Sequence, residues 1–342
     1  MASISYLKIF LGVTLGFGLL HVASLLAFLY SPQSFYYGPW EYLGDIAYRV
    51  EGVPLRWEGT TYQDQTRDNF LYYQYGHAVT VTTDGDGFRS RAKEADSYPV
   101  LVYGDSTIFG AGLSDGETLP WRLAEVTGLP VFNGARSSLS NVLAHPALGK
   151  VTILIDAQTE RNLYPRMLKK RDVPEGAAYQ PIAQKDQTLV EAAGLIPPQR
   201  YSLPLILLNT LDRLAGDFRT WRKGGEQPYL FRRHRMRPEE LDETVSLISA
   251  RARALEARGV RYVFLPVPAK QTLYAEDVDD YSRNFIPTLV ARLRAEGVEA
   301  VELATPFQAH KDEGLFFPYD THWNEKGTEL AAKIIAEQLF NK

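Results

Sequence analysis

Near the carboxyl end, the stretch FPYDTHWNEKG (317–327) sets Asp320 two residues before His322, one of six histidines in the chain. An imidazole titrates near neutrality, so it can take a proton and return it. A neighbouring carboxylate can hold one ring tautomer and stabilise the imidazolium. Such a pair calls for a nucleophile, and VLVYGDSTIFGAG (100–112) offers one far upstream. There an apolar run ends at Tyr103, Gly104 permits a sharp turn, and Ser106 falls at its tip. A serine hydroxyl is a weak nucleophile until a base removes its proton. His322 is the expected base and Asp320 its orienting group. Each motif alone has a plainer reading: DTH as a helix cap, GDS as ordinary turn chemistry. Their conjunction, one after the first and one after the last expected strand, carries the expectation.

Other constellations point nowhere. The chain has no cysteine, which removes thiol catalysis, disulfides and Cys-rich zinc sites. His77, His145, His234 and His310 have no ligand spacing, His21 falls in an apolar stretch, and no metal is expected. Asp84-Gly-Asp86-Gly resembles the start of a calcium loop but lacks the glutamate at its twelfth position, so it reads as a turn. GDSTIFGAG lacks the Lys-Ser/Thr ending of a phosphate-binding loop. No cofactor is expected. A net charge of −4 gives no argument for nucleic acid.

The elements that would carry these residues can be read from periodicity. Strands are predicted at 99–103, 130–134, 150–158, 260–267 and 298–303. Helices are predicted at 117–128, 237–259, 282–297 and 324–340. Alternating strands and helices imply an α/β domain with a parallel sheet covered on both faces. In such sheets ligands bind outside the carboxyl ends of the strands. The GDS turn and the DTH turn both belong to that edge.

The amino-terminal part reads differently. Residues 9–30 contain no formal charge over 22 positions, about the length that spans a bilayer core as a helix. Lys8 precedes this stretch, and Glu41 and Asp45 follow it. Residues 1–8 are therefore expected in the cytoplasm, 9–30 as an uncleaved transmembrane anchor, and the remainder outside. Residues 31–83 read as a stalk and irregular region, and 84–342 as the catalytic domain. The domain is interrupted at 161–237, where fifteen Lys/Arg face seven Asp/Glu, against 22 and 34 elsewhere. Leu207, Leu211, Leu214, Phe218 and Trp221 form a helical stripe in it, read as a helix packed on the core or as an interfacial lid.

YGDS with its following glycines, FNGARSS (132–138) and YDTHWN (319–324) resemble the SGNH (GDSL-type) hydrolase superfamily. DGFRS (86–90) also recurs in its membrane-anchored members. IDAQTERNL (155–163) replaces the usual Gly-x-Asn-Asp block. It is similar to the ERxL stretch of alginate-type polysaccharide O-acetyltransferases, which also carry Asp-x-His. In those enzymes Asp-x-His precedes the serine, whereas here it follows. The resemblance covers roughly 84–340 without 161–237. It implies a flavodoxin-like three-layer sandwich, with Ser106 as nucleophile, His322 as base and Asp320 as orienter. It also implies oxyanion donors among the backbone N–H groups of Ser106, Gly134 and Ala135, with Asn162 or Arg136 standing in for an absent asparagine. The implied function is O-acetylation of a secreted polysaccharide at the periplasmic face of the inner membrane, with a membrane-bound O-acyltransferase as partner. Two other readings of the same residues stay open: an esterase acting on glycan or lipid esters, and a non-catalytic scaffold of an export complex.

Overall fold

The computed structural model describes residues 2–30, 56–61, 77–89, 95–135, 137–169, 237–275, 278–318 and 320–340. Arg136, the Leu207–Trp221 stripe and the basic stretch from 170 to 236 lie outside the described residues. Helix α1 (Ala2–Tyr30) has 29 residues, about 43 Å at the α-helical rise. Its window Tyr6–Ala23 has a mean hydropathy of 1.6, and none of it is buried. By length and composition it can cross a membrane.

Strands β1 (Arg56–Thr61) and β2 (His77–Thr82) pair antiparallel. Residues 31–83 read as irregular in the sequence, and this pairing corrects that reading. In HAVTVT the alternation sends Val79 and Val81 inward, the period-2 signature of a half-buried strand.

From Val100 onward the chain builds a parallel sheet. β3 (Val100–Tyr103), β4 (Val131–Asn133), β5 (Ile153–Thr159), β6 (Arg261–Val267) and β7 (Glu299–Ala300) lie in the order β4-β3-β5-β6-β7. Counted from β3 this is 2-1-3-4-5, the flavodoxin-like order. Alternate residues divide between two cores. Val100, Val102, Ile155, Ala157, Val263 and Leu265 face one side, beneath α3 (Leu119–Thr127) and α6 (Glu325–Leu339). Leu101, Tyr103, Leu154, Tyr262 and Phe264 face the other, beneath α4 (Pro238–Glu256) and α5 (Phe285–Ala295). The domain is thus a three-layer α/β sandwich. Each fully buried large apolar side chain contributes on the order of 1.5–3 kcal/mol.

The helix ends follow local chemistry. Thr118 accepts a hydrogen bond from Trp121 N at the start of α3, and Gly128 ends that helix at φ 69°. Asn324 accepts from Lys326 N and Gly327 N to start α6. The last strand is shorter than the predicted 298–303. Only Glu299–Ala300 pair as strand; one further rung runs from Val301 N to Phe264 O before the chain turns into a helix at Ala304. As the sheet edge, this segment has a partner on one side only, and three residues later its backbone is helical.

In the 2-1-3-4-5 order the connections depart in opposite directions from β3 and β5. Their carboxyl ends define the topological switch point, where doubly wound sheets form a crevice.

Candidate active site at the switch point

All four residues of β3 are buried. The next residue, Gly104, is needed for room rather than for a left-handed backbone: a Cβ there would lie 2.8 Å from Ala157 O and would overlap the Ile108 side chain. Asp105 caps the one-turn helix α2 (Ser106–Phe109), its Oδ1 accepting from Thr107 N at 3.0 Å. Its Oδ2 accepts from Thr159 Oγ1 at 2.8 Å and from Asn162 Nδ2 at 2.9 Å. One carboxylate therefore ties the loop after β3 to the loop after β5 across the switch point. Ser106 opens α2 and is half-buried.

The DTH turn closes over the same edge. Phe316 bridges Trp323, Phe317 N donates to His322 O at 3.2 Å, and Asn324 N donates to Leu315 O at 3.0 Å. Within this turn Asp320 Oδ1 accepts from His322 N at 2.9 Å and lies 2.6 Å from His322 Nδ1. His322 Nε2 lies 2.8 Å from Ser106 Oγ. Asp320 and His322 are each 3% exposed, so water screens this line of hydrogen bonds poorly. A carboxylate on Nδ1 assigns the ring proton to that nitrogen, which leaves Nε2 to accept from the Ser106 hydroxyl.

Two buried cations hold the loops. Arg89, from the DGFRS stretch, is 3% exposed. It donates through Nη1 to Phe109 O and Gly110 O at 3.0 and 2.8 Å, and through Nη2 to Leu113 O at 2.7 Å. Its Nε donates to Asp115 Oδ1 at 2.9 Å, and Asp115 in turn accepts from Thr82 of β2. Burial pushes the guanidinium pKa down, against the pull of Asp115. Lys270, just beyond β6, donates to Phe317 O, Pro318 O and Asp320 O at 2.8, 2.5 and 3.2 Å. Sequence reasoning did not single out Lys270; the available signal was a lysine directly after a strand, at the carboxyl edge. At the rim, His77 stacks on Phe317 with centroids 5.0 Å apart, and Arg161 Nη1 donates to Thr321 Oγ1 at 3.2 Å.

The expected oxyanion donors require correction. Gly134 N donates to Val102 O at 2.9 Å, extending the β3–β4 pairing by one residue. Ala135 N donates to Asn133 Oδ1 at 3.2 Å. The Asn162 amide donates to Asp105 and to Thr159 Oγ1. All three serve the scaffold, and Arg136 lies outside the described residues. Among the described residues no acceptor meets the backbone N–H of Ser106. The Asp84-Gly-Asp86-Gly stretch is a turn in which Asp84 Oδ1 accepts from Asp86 N and Phe88 N at 3.0 and 2.9 Å. Burial raises the Asp84 carboxyl to about 6.

Residues 223–342 match the family model of the SGNH hydrolase-like domain, acetyltransferase AlgX. This match and the strand order support an SGNH-like fold for the domain. The matched residues include Asp320 and His322; Ser106 precedes them. Among curated proteins, the "Probable alginate O-acetylase AlgJ" of Pseudomonas aeruginosa is 29% identical over 129 residues, 34% of this chain and 32% of that protein. Its namesake in Pseudomonas fluorescens is 32% identical over 111 residues, 30% of this chain and 28% of that protein. The chain thus spans about a third of the length of the curated relatives it matches. A solved G-D-S-L family protein from Desulfitobacterium hafniense aligns with 70% of this chain and 98% of its own at 13% identity and a TM-score of 0.38. The flavodoxin-like assignment of the SGNH-like domain rests on its strand order and layers.

Proposed function

We propose that the chain is a membrane-anchored, extracytoplasmic serine-dependent O-acyltransferase that acetylates a polysaccharide hydroxyl through an ester on Ser106. The observation that carries this reading is the 2.8 Å approach of Ser106 Oγ to His322 Nε2, with Asp320 on the other ring nitrogen. Similarity to proteins named alginate O-acetylases supports acetyl as the group and a polysaccharide as the acceptor. The apolar α1 supports the anchor.

The chemistry runs in two halves. Ser106 Oγ attacks the donor's acyl carbonyl while His322 Nε2 takes the hydroxyl proton, and Asp320 stabilises the imidazolium. The Ser106 N–H faces the developing oxyanion. Collapse breaks the bond to the donor's leaving group, which receives the proton from His322. A sugar hydroxyl then gives its proton to His322 and attacks the Ser106 ester, and Ser106 regains its proton. In this reading a membrane-bound O-acyltransferase delivers the acyl group. The test supplies a small activated acetyl ester to the full-length protein in detergent, with and without an oligosaccharide acceptor. Mass spectrometry should find acetyl on Ser106 and then on the sugar. Acetate alone, unchanged by acceptor, would indicate an esterase. No acetyl on Ser106 would indicate a scaffold.

A further inference from the structure

We infer that Lys270 is a positioning residue for the proposed acyl transfer, pinning the turn that aims Asp320 at His322; this rests on the reading of Ser106, His322 and Asp320 given above. Lys270 is 8% exposed, and among the described residues no carboxylate lies within salt-bridge distance of its ammonium. An unpaired buried charge is unfavourable unless its hydrogen-bonding capacity is filled. Here three N–H donors meet three carbonyl oxygens, those of Phe317, Pro318 and Asp320. All three belong to one turn, between the bridge at Phe316 and the imidazole at His322.

A structural filler would not need this chemistry. The three carbonyls converge because the turn folds back on itself, and no neutral side chain offers three donors from one atom. The ammonium is bonded to the Asp320 carbonyl, while the Asp320 side-chain oxygen Oδ1 is engaged by the backbone N and the ring Nδ1 of His322. Carboxylate and imidazole are thus fixed to each other, and Lys270 fixes the pair to β6. The short helix Lys270–Tyr274 is anchored in turn by Glu160 from the end of β5, which accepts from Ala269 N and Thr272 Oγ1. The pin therefore joins the ends of β5 and β6 to the DTH turn.

Burial lowers the Lys270 pKa to about 8, while Asp320 favours the ammonium. On the elements joined to it, the other charged or titratable groups are His322 beside Asp320, Glu160, which accepts from Ala269 N, Arg161, which donates to Thr321 of the turn, and Tyr274 on its own helix. Tyr274 is raised by burial and stays neutral in this range. Losing the proton removes one donor and the charge, so the pin loosens as pH rises through about 8.

The test measures Ser106 labelling by a fluorophosphonate in the full-length protein in detergent, from pH 6 to 9.5, for wild type, Ser106→Ala, Lys270→Met and Lys270→Arg. Wild type should label and then decline as pH passes about 8. Lys270→Met should label about 10- to 100-fold more slowly at pH 7 with no alkaline decline. Lys270→Arg keeps its charge and should hold its rate to pH 9.5. Equal rates and the same alkaline limb in wild type and Lys270→Met would overturn the inference while leaving the Ser106 reading intact. No labelling of wild type above Ser106→Ala would overturn both. If Lys270→Met does not fold, Lys270→Arg decides alone: an unmoved alkaline limb refutes the pin.

Discussion

Replacing Arg89 with methionine should loosen the loop that follows Ser106 and unfold the domain more easily. The guanidinium side chain is 2% exposed and donates to three loop carbonyls and to Asp115. Removing one partner of a buried charged pair costs about 3–5 kcal/mol. Relief is partial here. Asp115 keeps its bonds from Thr82 N and Thr82 Oγ1, and its side chain is 15% exposed. The remaining loss is Phe109 O and Leu113 O without a donor, each costing on the order of 1–3 kcal/mol, while Gly110 O keeps Leu113 N. The sum falls at the low end, about 3 kcal/mol. Urea unfolding of the full-length protein in detergent, followed by tryptophan fluorescence, should then show a midpoint lower by about 1 M for a slope near 3 kcal/mol per M. Arg89→Lys should fall between, because a point charge cannot serve a fork of carbonyls. Ser106 labelling should slow in step, since Gly110 O and Phe109 O end the helix that Ser106 begins. A midpoint shift below about 0.3 M, under 1 kcal/mol on the same slope, would refute Arg89 as the brace.

Ser106→Ala and His322→Ala should each abolish acylation, and the double variant should be no worse than either, because the two act as one unit; melting temperature and single-turnover acylation on the same proteins check this. Gly112→Ala should destabilise by about 1–3 kcal/mol, since φ is +81° and a Cβ there would sit 2.8 Å from the Phe317 ring; thermal unfolding reads it. Burial raises the Asp84 carboxyl in the folded domain to about 6, against its ordinary 3.8. Its stability contribution is therefore present below the lower value and lost as pH rises through the higher one. Asp84→Asn should flatten that part of the pH–stability curve between pH 4 and 7, and an unchanged curve would refute it. A reporter fused after residue 40 should report an extracytoplasmic location, and cytoplasmic activity would overturn the proposed topology.

The fold was legible where periodicity is long. The predicted strands at 99–103, 130–134, 150–158 and 260–267 agree with β3 to β6 within a few residues, and Gly128 ends its helix as the turn chemistry requires. The β1–β2 pair was missed because its alternation lasts six residues and its partner strand carries Gly59. Ser106, Asp320 and His322 were visible as residue types in distinctive turns, and the structure sets them within hydrogen-bond reach. Donor availability was not visible. Whether Gly134 N–H is free depends on whether the β3–β4 ladder runs one residue further, and it does. The place of Lys270 after a strand was a weak signal, because lysine is ordinarily a surface residue, and only tertiary folding brings three carbonyls to its ammonium.

Strand ends give the carboxyl edge of this sheet its residues but not its rigidity. Beyond the last ladder rung, backbone carbonyls have no partner strand, and buried ones must find donors elsewhere. Here the donors are long cationic side chains reaching in from separate elements. Arg89 reaches in beside β2 to the loop after α2, and Lys270 reaches from just beyond β6 to the DTH turn. A cation with several N–H groups can close a loop that no single neutral side chain could satisfy. Asp105 supplies the complementary case, an acceptor joining two loops across the switch point. If this bracing sets the spacing of Ser106 and His322, loss of a brace should slow acylation before it unfolds the domain. A variant such as Lys270→Met, in which Pro318 O and Asp320 O lose their donor, would melt at a lower temperature, yet its labelling rate would already fall where the domain is still fully folded. Labelling that falls only in step with the folded fraction would instead mean that the edge has no rigidity separable from the core.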